Sequence, residues 1–593
     1  MKDTINALAP TGDAEHLNST GDTGDTGDSP ENTGLAASPV ENRGPGTPGT
    51  GFRIDKKGVW HTPEDGESTW VCSRLDVVAK TRNGDSEAWG RLLEWLDSDG
   101  FLHRWSCPME MLAGDGMEFR RILMSMGLEI APGGKARQAL QTYVQTARTY
   151  DRATCVDKSG WLGGAYVLPD ETIGEHEGHI LLQTPGEPPK LRQAGTTEEW
   201  REQVGMYCSG NSRLVLAASV AFAAPLVHLT GEESGGLHFV GPSSCGKTTA
   251  LRVAASVWGG PEYLKRWRAT ANGLESVAAA HNDGLLILDE LAQVEAREAG
   301  GIAYMLANGT GKHRSKRDGM AKPVATWRLL FLSAGEIGLA DHMADAGKKA
   351  KAGQEVRLCD ISADTGEHGM FEALHSFPSG SAFADHLNHV SGVVYGSPIR
   401  SFLNGLAAAP ADDVRAQCRK LRDDFIAEHV PGDADGQPRR VAGRFALVAA
   451  GGELATAMGI TGWEAGEAIR AAGICYQAWL ERRGGSGSQE ATEALATVRH
   501  FIEQHGDSRF SHTTDDKPVH NRAGYRRFHD GENQYLFLPE VFKRDVCRGH
   551  DFRRVLEVLR ERNLLVTEAP DRLTVKPRGV GRCYCVREGI ADE

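Results

Sequence analysis

The sequence predicts an α/β fold, because short apolar runs alternate with helical segments through the middle of the chain. Between Ser209 and Asp364 the apolar runs have the length and composition of strands in a parallel sheet. Two of these runs end in residues of distinctive chemistry, a glycine-rich loop at 241–248 and a pair of acids at 289–290. Regions of different composition flank this stretch on both sides, which indicates further domains.

Length and composition fit a large globular protein. The 593 residues are enough for several domains, and 40% apolar and 25% charged residues are ordinary values for a soluble chain. The net charge is −14, but the first 50 residues alone hold eight acidic and two basic residues. The overall charge therefore does not exclude nucleic-acid binding, which depends on local patches.

The cysteines and the apolar stretches point to the cytoplasm. Eleven cysteines occur without a CxxC pair or a Cys/His cluster, which favours reduced thiols. No N-terminal signal peptide is recognisable. The most apolar stretch, 214–229, is too short for a membrane span and contains Pro225, so it is interpreted as a buried helix.

The glycine-rich loop matches GxxxxGK[ST]. It follows the apolar strand 237–240 and precedes the helical run 249–258, which is the context that a P-loop requires. Glycines allow a tight turn whose backbone N–H groups point at phosphates, and the helix N-terminus adds partial positive charge. Lys247 is expected to reach the β- and γ-phosphates of ATP, and Thr248 to bind Mg²⁺. The predicted nucleotide contacts are Gly241, Pro242, Ser243, Ser244, Cys245, Gly246, Lys247, Thr248 and Thr249.

Two acids end the apolar strand 285–288. Asp289 is expected to bind the metal ion as well as the nucleotide, and Glu290 to polarise the attacking water. The second carboxylate favours hydrolysis over mere binding. A third strand, 327–332, ends at Ser333, which is predicted to contact the γ-phosphate or the water; the alternative is a serine that merely ends a strand.

These motifs lead to a domain plan with an α/β P-loop NTPase core of the ring-ATPase kind. We expect a disordered acidic tail (1–50), an N-terminal α+β domain (51–189), the core (190–400), a helical lid (401–483), a flexible linker (484–488) and a winged-helix-like domain (489–593).

The order of motifs resembles the family called domain of unknown function 927, over roughly residues 51 to 480. That family is similar to P-loop ATPases of phages and mobile elements, often labelled helicase or primase-helicase. The resemblance therefore implies a P-loop fold and an ATPase. The matching segments are 160–161, 168–170, 269–275, 288–291, 306–312, 333–336 and 353–358, together with the P-loop.

A basic run between the acids and the third strand is the candidate DNA contact. In ring helicases an insertion at this place faces the pore, where cationic side chains would grip phosphates without regard to sequence. The alternative is an ordinary solvated loop. The candidate residues are Lys312, Arg314, Lys316, Arg317 and Lys322.

Two arginines further along are candidate phosphate sensors. Arg357 lies downstream of the third strand, where an arginine finger often enters a neighbouring subunit's site and assists catalysis; the alternative is a surface ion pair with Glu355 or Asp360. Arg444 is expected to open a helix of the lid and to contact the γ-phosphate of its own subunit.

The last hundred residues are predicted to form a winged helix. Helices are expected at 493–505, 538–547 and 551–563, and wing strands at 564–566 and 573–575. Fifteen basic and nine acidic residues lie between Arg522 and Arg587. Such modules bind DNA or dock proteins, and the excess of basic residues favours DNA.

The leading interpretation is an ATP-dependent DNA translocase or helicase that replicates a mobile element or phage. It would use ATP and Mg²⁺, bind single-stranded DNA, work in the cytoplasm away from membranes, and assemble into a ring for which a hexamer is one candidate size. The alternative is a nucleotide-driven switch or defence ATPase that engages protein partners without translocating DNA.

Overall fold

A computed structural model describes ten segments of the chain. They are residues 46–64, 66–176, 178–184, 188–313, 324–348, 352–485, 489–514, 519–548, 551–569 and 572–591. The predicted disordered tail therefore lies almost wholly outside the described residues, as do positions 486–488 of the predicted linker. The described chain forms two compact units. The larger contains the described residues from 46 to 348 with Arg357–Phe425 and Arg444–Cys475, and the smaller contains residues 352–356, Ile426–Gly443 and the described chain from Tyr476 onward.

The first part of the larger unit combines sheets with helices. A three-stranded antiparallel sheet is followed by a mixed five-stranded sheet and two helices, whose apolar faces share one core. The segment 69–82 forms two strands separated by residues 73–75. The strands are Phe52–Asp55, Gly58–His61, Thr69–Cys72, Asp76–Arg82, Gly90–Leu96, Leu102–Pro108, Arg152–Val156 and His179–Leu182, and the helices are Met117–Ser125 and Gly134–Thr146.

A small antiparallel meander connects this part to the next. Its strands are Gly160–Leu162, Ala165–Val167 and Thr172–Ile173. The apolar stretch that was interpreted as a buried helix forms two helices, Ser212–Ala223 and Leu226–Thr230, divided at Pro225. All twelve residues of the first are buried, which confirms that interpretation. No described helix is long and apolar enough to cross a membrane.

The centre of the larger unit is a five-stranded sheet in which all strands run parallel. In spatial order its strands are Lys265–Arg266, the acid strand Gly284–Asp289, the central strand Leu329–Gly335, the loop strand Gly235–Val240 and the outer strand Leu358–Ser362. The interior strands are almost continuously buried, which explains their uninterrupted apolar runs. Since all strands are parallel, their carboxyl ends meet at one edge, called the carboxyl edge below.

Helices follow these strands as the alternation of the sequence predicts. Residues of the helices at 271–280 and 296–308 share a buried cluster with Leu286, Leu288 and Phe331 of the sheet. The helices that follow the strands are Lys247–Trp258, Ala271–Ala280, Ala296–Asn308 and Leu339–Asp345. Before the sheet, short helices at Thr197–Trp200 and Met206–Cys208 flank a π-helix at Arg201–Gly205. Another short helix, Ala352–Glu355, precedes the outer strand. Short 3-10 turns add Met109–Leu112, Pro261–Tyr263 and Leu291–Gln293.

The segment predicted as a lid is helical throughout. Five helices occur there and just before it, namely Gly380–Val390, Ser397–Ala408, Ala411–His429, Gly436–Ala457 and Glu467–Arg483. Arg444 lies inside the fourth of these helices, so the prediction that it opens a helix is wrong.

The end of the chain contains more strand than the winged-helix prediction allowed. Its five-stranded sheet includes three strands that the sequence did not reveal, Phe510–His512, Gly524–His529 and Glu532–Phe537. The strand Leu565–Val566 pairs with Tyr584–Arg587, whereas 573–575 makes only a single bridge from Val575 to Cys583, so that predicted wing strand is wrong. The helices are Gln489–His505, Pro539–Val541 continued by a π-helix at Phe542–Val546, Phe552–Glu561 and a final 3-10 turn at Glu588–Ala591.

Candidate active site

The glycine-rich loop lies at the carboxyl edge, between the loop strand and the helix Lys247–Trp258. Gly246 caps this helix with φ 105°, and Ser244 has φ 63°, so the backbone turns through left-handed conformations at both positions. A Cβ atom on Gly246 would come within 3.0 Å of the Phe371 ring. No side chain caps the helix, which leaves its first N–H groups facing the loop. This is the arrangement by which helix N-termini bind phosphate.

The Lys247 side chain folds over the loop. Its ammonium Nζ donates to the carbonyl oxygens of Gly241 at 2.8 Å and Pro242 at 2.6 Å. Both acceptors are neutral, so the positive charge of the ammonium is not cancelled by them. A phosphate oxygen at this position would gain a charge-assisted hydrogen bond.

Thr248 and Asp289 meet although they are 41 positions apart in the chain. The Thr248 hydroxyl Oγ1 donates to Asp289 Oδ2 at 3.3 Å, and the other carboxylate oxygen accepts the backbone N–H of Glu290 at 3.0 Å. Burial raises the pKa of the Asp289 carboxyl, and these two hydrogen bonds oppose the rise. A hydroxyl and a carboxylate are oxygen ligands of the kind that Mg²⁺ takes, so the pair fits the ion.

Glu290 follows the acid strand in a left-handed backbone conformation, with φ 64°. A non-glycine residue held there costs about 1–3 kcal/mol, and such residues cluster at functional sites. The residue is half-buried beside Asp289 at the carboxyl edge. Its position is therefore compatible with a carboxylate that acts on a molecule bound in the glycine-rich loop.

Ser333 does not end its strand, because the central strand continues through Gly335. The residue is fully buried. Its hydroxyl hydrogen-bonds to Nδ1 of His238 at 2.9 Å and accepts the indole N–H of Trp267 at 2.8 Å. A side chain enclosed in this way cannot touch the γ-phosphate or a water, so the direct catalytic contact expected of Ser333 is corrected to a buried position beneath the site.

Arg444 lies at the opposite, amino edge of the sheet. Its guanidinium packs on Gly235, the first residue of the loop strand, and donates to the Cys359 sulfur at 3.4 Å. The glycine-rich loop begins after the sixth residue of that strand, about 20 Å away at 3.3 Å per residue. The expected contact between Arg444 and the nucleotide of its own subunit is therefore corrected.

Arg357 also lies at the amino edge, just before the outer strand. Its carbonyl oxygen accepts the backbone N–H of Gly236 at 2.8 Å. Its guanidinium stacks over Tyr304 at 4.1 Å from the ring centre and donates to Asn308 at 3.0 Å. The side chain is thus remote from the glycine-rich loop of its own chain, as a residue that serves a neighbouring subunit has to be.

The basic run begins on an ordered stem. Gly311 N–H donates to the Ala325 carbonyl at 2.9 Å, Thr310 pairs with Thr326, and the Lys312 N–H donates to Glu275 at 2.9 Å. We call the paired segments 309–312 and 325–327 the hairpin stem. The residues beyond it that were predicted to contact DNA lie outside the described residues, namely Arg314, Lys316, Arg317 and Lys322.

Sequence reasoning missed a segment that packs on the glycine-rich loop. After the outer strand the Ala363 N–H donates to Val240 O at 2.8 Å, and the Met370 N–H donates to Cys245 O at 2.8 Å. We call residues 364–369, between these two contacts, the clasp loop. Its two glycines, Gly366 and Gly369, were the signal that could have indicated a tight turn.

Asp283 was also missed. It is fully buried at the start of the acid strand, with φ 52°. One carboxylate oxygen accepts the Trp161 N–H at 3.1 Å, the other accepts Arg328 Nε at 3.0 Å, and the backbone carbonyl accepts the Tyr166 hydroxyl at 2.8 Å. A Cβ on Gly160 would lie 2.5 Å from this carboxylate. The Gly160–Trp161 motif therefore docks the meander onto the sheet.

Across the described residues, no group of three or more metal-binding side chains occurs, and all eleven cysteines are free. A catalytic or structural zinc cluster is not found in the described chain.

Comparison with known proteins gives one family and one solved fold. Residues 52–326 match the family described as Domain of unknown function (DUF927), so the predicted resemblance is confirmed over that range and not over the later motifs. No curated protein matches the chain. A solved structure described as "SCCmec type IV Cch - active helicase" matches with TM-score 0.69 at 18% identity, covering 91% of this chain and 98% of that one. The chain thus shares the mixed α/β fold of that protein, and its residues 52–326 carry the DUF927 sequence pattern.

Proposed function

We propose that the protein is an ATP-hydrolysing enzyme that uses the energy to move along or unwind DNA. The observation that carries the ATPase part is the 3.3 Å hydrogen bond between Thr248 and Asp289. It joins the end of the glycine-rich loop to an acid strand two places away in the sheet, with Lys247 and Glu290 on either side. Nothing in packing alone requires a hydroxyl, a carboxylate and an ammonium to converge at one sheet edge.

Each residue has a role that follows from its chemistry. The loop N–H groups and Lys247 hold the β- and γ-phosphates, while Thr248 and Asp289 hold Mg²⁺. The ion, when bound, neutralises charge on the phosphate oxygens. Glu290 orients a water and accepts its proton as the oxygen attacks the γ-phosphorus, while the bond from that phosphorus to the bridging oxygen of the β-phosphate breaks and ADP leaves with the electron pair.

The role in hydrolysis proposed for Arg357 requires a neighbouring copy of the chain. A guanidinium at the amino edge cannot reach the phosphates at the carboxyl edge of the same sheet, whereas head-to-tail contacts bring opposite surfaces of two subunits together. Such contacts close into a ring when the rotation between subunits allows it. The proposed assembly is therefore a ring with ATP between subunits.

The DNA part of the proposal is supported by the hairpin stem and by the fold. The sequence that starts at the stem carries five basic residues within the eleven positions from Lys312 to Lys322, and phosphate contacts of this kind bind single strands without sequence preference. The protein that shares the fold is described as an active helicase. The end of the chain adds the exposed strand residue Phe528, 67% accessible, among basic side chains.

The test is ATP turnover with Mg²⁺, with and without single-stranded DNA. We expect DNA to raise turnover, and Lys247→Ala to abolish tight ATP binding because it removes the cation that faces the phosphates. Turnover that ignores DNA in an otherwise active enzyme would contradict the DNA role and favour the switch that engages protein partners.

A charge pair in the basic run tests the DNA contact itself. Lys316→Ala combined with Arg317→Ala should weaken single-stranded DNA binding and reduce the salt slope by about 1.4, at about 0.7 per lost phosphate contact. The matched control is Lys56→Ala with Lys57→Ala, two adjacent exposed basic residues on a turn of the first sheet. Equal slopes in both double variants would show that the basic run does not bind DNA.

A further inference from the structure

The clasp loop lies beside the glycine-rich loop on the side away from the acids. The loop strand has the central strand and then the acid strand on one side, and the outer strand on the other. The clasp loop follows the outer strand directly. It therefore stands across the glycine-rich loop from Asp289 and Glu290.

The clasp loop is held rigidly. The Thr365 backbone N–H and hydroxyl both donate to Gly369 O, at 2.7 Å and 2.9 Å, and the Gly366 N–H donates to Asp364 at 3.0 Å. Gly369 has φ 66°, and a Cβ atom there would lie 2.8 Å from Cys245 O. The chain thus approaches the glycine-rich loop as closely as a backbone can, which glycine alone permits.

Two side chains of this fixed loop have no bonding partner among the described residues. The Glu367 side chain is exposed and the His368 ring is half-buried, and neither side chain makes a hydrogen bond, an ion pair or a ring contact within the described chain. A carboxylate on a loop whose backbone is fixed by these hydrogen bonds is an acceptor available to a bound molecule.

The geometry of the sheet fixes which part of a nucleotide would reach that acceptor. The γ-phosphate end has to face Asp289 and Glu290, so the α-phosphate and nucleoside extend to the opposite side, toward the outer strand. We propose that the clasp loop is the nucleoside subsite and that Glu367 accepts a hydrogen bond from the nucleoside. This inference rests on the proposed nucleotide binding and adds a determinant of which nucleotide is bound.

The Glu367 carboxylate can only accept hydrogen bonds, and a nucleoside offers two kinds of hydrogen-bond donor. These are the sugar hydroxyls and the exocyclic amino group of the base. The His368 ring, next in the chain, adds a flat surface on which a base can pack. Both sources give the same chemistry at Glu367, and nucleotide analogues distinguish them.

The experiment measures binding to the full-length chain by calorimetry with Mg²⁺. The ligands are ADP, 2′,3′-dideoxy-ADP, inosine diphosphate and pyrophosphate, none of which is hydrolysed by an ATPase. Glu367→Ala should weaken ADP about tenfold, as expected for one hydrogen bond to a charged group. Pyrophosphate should bind Glu367→Ala at least as tightly as it binds the wild type. It has no nucleoside to lose a contact, and the substitution removes a negative charge near the site.

The analogues identify the donor. The analogue that lacks the group bonded by Glu367 should bind the wild type about tenfold more weakly than ADP does. Its affinity should not fall further in Glu367→Ala, because the hydrogen bond is already absent. Glu367→Gln, which keeps the shape of the side chain, should fall between wild type and alanine. Glu110→Ala removes an exposed carboxylate from a 3-10 turn of the N-terminal part and serves as the matched control.

Two results would overturn the inference. The first is ADP affinity in Glu367→Ala within twofold of wild type, and the second is an equal loss for ADP and pyrophosphate, which would indicate a general distortion of the glycine-rich loop. A wild-type chain that binds neither ADP nor pyrophosphate would instead refute nucleotide binding itself, and the subsite with it.

Discussion

Polar residues at the carboxyl and amino edges of the same five-stranded sheet differ in their burial and in their hydrogen-bond partners. At the amino edge, Asp283 is fully buried, and its carboxylate oxygens accept hydrogen bonds from Trp161 and Arg328. At the carboxyl edge, Lys247 and Glu290 are partly exposed. Among the described residues, the Lys247 ammonium bonds two neutral carbonyls of its own loop and makes a weak contact with the Cys245 sulfur. Polar groups at the first edge hold the chain together, while those at the second can be engaged by a ligand.

The difference shows how one sheet separates stability from chemistry. The central strand starts beside the hairpin stem at the amino edge and ends at the level of Asp289 at the other. A substitution at the amino edge should therefore alter the stability of the fold, and one at the carboxyl edge should alter turnover. This separation fails if the strands couple the two edges. The following substitutions test that separation, in order of decreasing effect.

The largest effect is expected from Glu290→Gln at the carboxyl edge. An amide cannot accept the proton of the attacking water, so turnover should fall about a thousandfold while ATP affinity is kept. Steady-state ATPase assays and ATP binding measure the two quantities. Glu295→Gln, a nearby exposed residue with the same charge change, is the control. Equal rates for wild type and Glu290→Gln would remove Glu290 from the site.

Arg357→Ala sharpens the comparison because it joins the two edges across a subunit boundary. Turnover should fall about a hundredfold with little change in ATP affinity, since the guanidinium would act on the transition state. Mixing this variant with Lys247→Ala protein should restore part of the activity, as a mixed interface pairs an intact loop with an intact arginine. Arg297→Ala, exposed on the preceding helix, is the control.

A failure of this rescue in mixed rings that demonstrably form would leave Arg357 as a packing residue on Tyr304. Full ATPase activity in a strictly monomeric protein would be stronger evidence against the proposal, because it would exclude both the shared active site and the ring.

Asp283→Asn at the amino edge should act on folding alone. It leaves the half-exposed Arg328 side chain with a neutral partner in place of the buried carboxylate, and the loss of hydrogen bonds to a charged group should cost about 1.5–3 kcal/mol. The melting temperature should fall by several degrees, while ATP affinity of the folded protein stays within twofold. Asp385→Asn, exposed on a helix, is the control. Normal stability with lost ATP binding would break the separation of the edges.

The smallest effect is expected from Arg444→Leu. The side chain keeps its packing on Gly235 and loses its hydrogen bond to Cys359, so the melting temperature should drop by only a few degrees, corresponding to about 1 kcal/mol. Arg439→Leu, exposed on the same helix, is the control. Unchanged melting with strongly reduced hydrolysis would restore the sensor role that the sequence suggested for Arg444.

The sequence predicts those parts of the site that depend on neighbouring residues. The strand, loop and helix around Lys247 follow from one local pattern, and Asp289 follows from a short apolar run whose length favours a buried strand. Ser333 was misjudged because its environment comes from His238 and Trp267, which are 95 and 66 positions away. No local pattern contains that information.

Other elements were missed because their partners are equally distant or their pattern is weak. Asp283 is defined by Trp161 and Arg328, and the clasp loop by its contact with Cys245. In the strand Gly524–His529 buried and exposed residues do not alternate regularly, because several of its charged and aromatic side chains are exposed. Its composition resembles a basic loop as much as a strand.

The left-handed backbone at Glu290 has a consequence for the evolution of this enzyme. A glutamate at φ 64° is retained against its own conformational preference, whereas glycine or asparagine would be more stable there. Variants in which glycine or asparagine replaces Glu290, the proposed catalytic carboxylate, should therefore become slightly more stable. Selection for activity and selection for stability oppose each other at this one residue, and its persistence would mark lineages in which hydrolysis is still used.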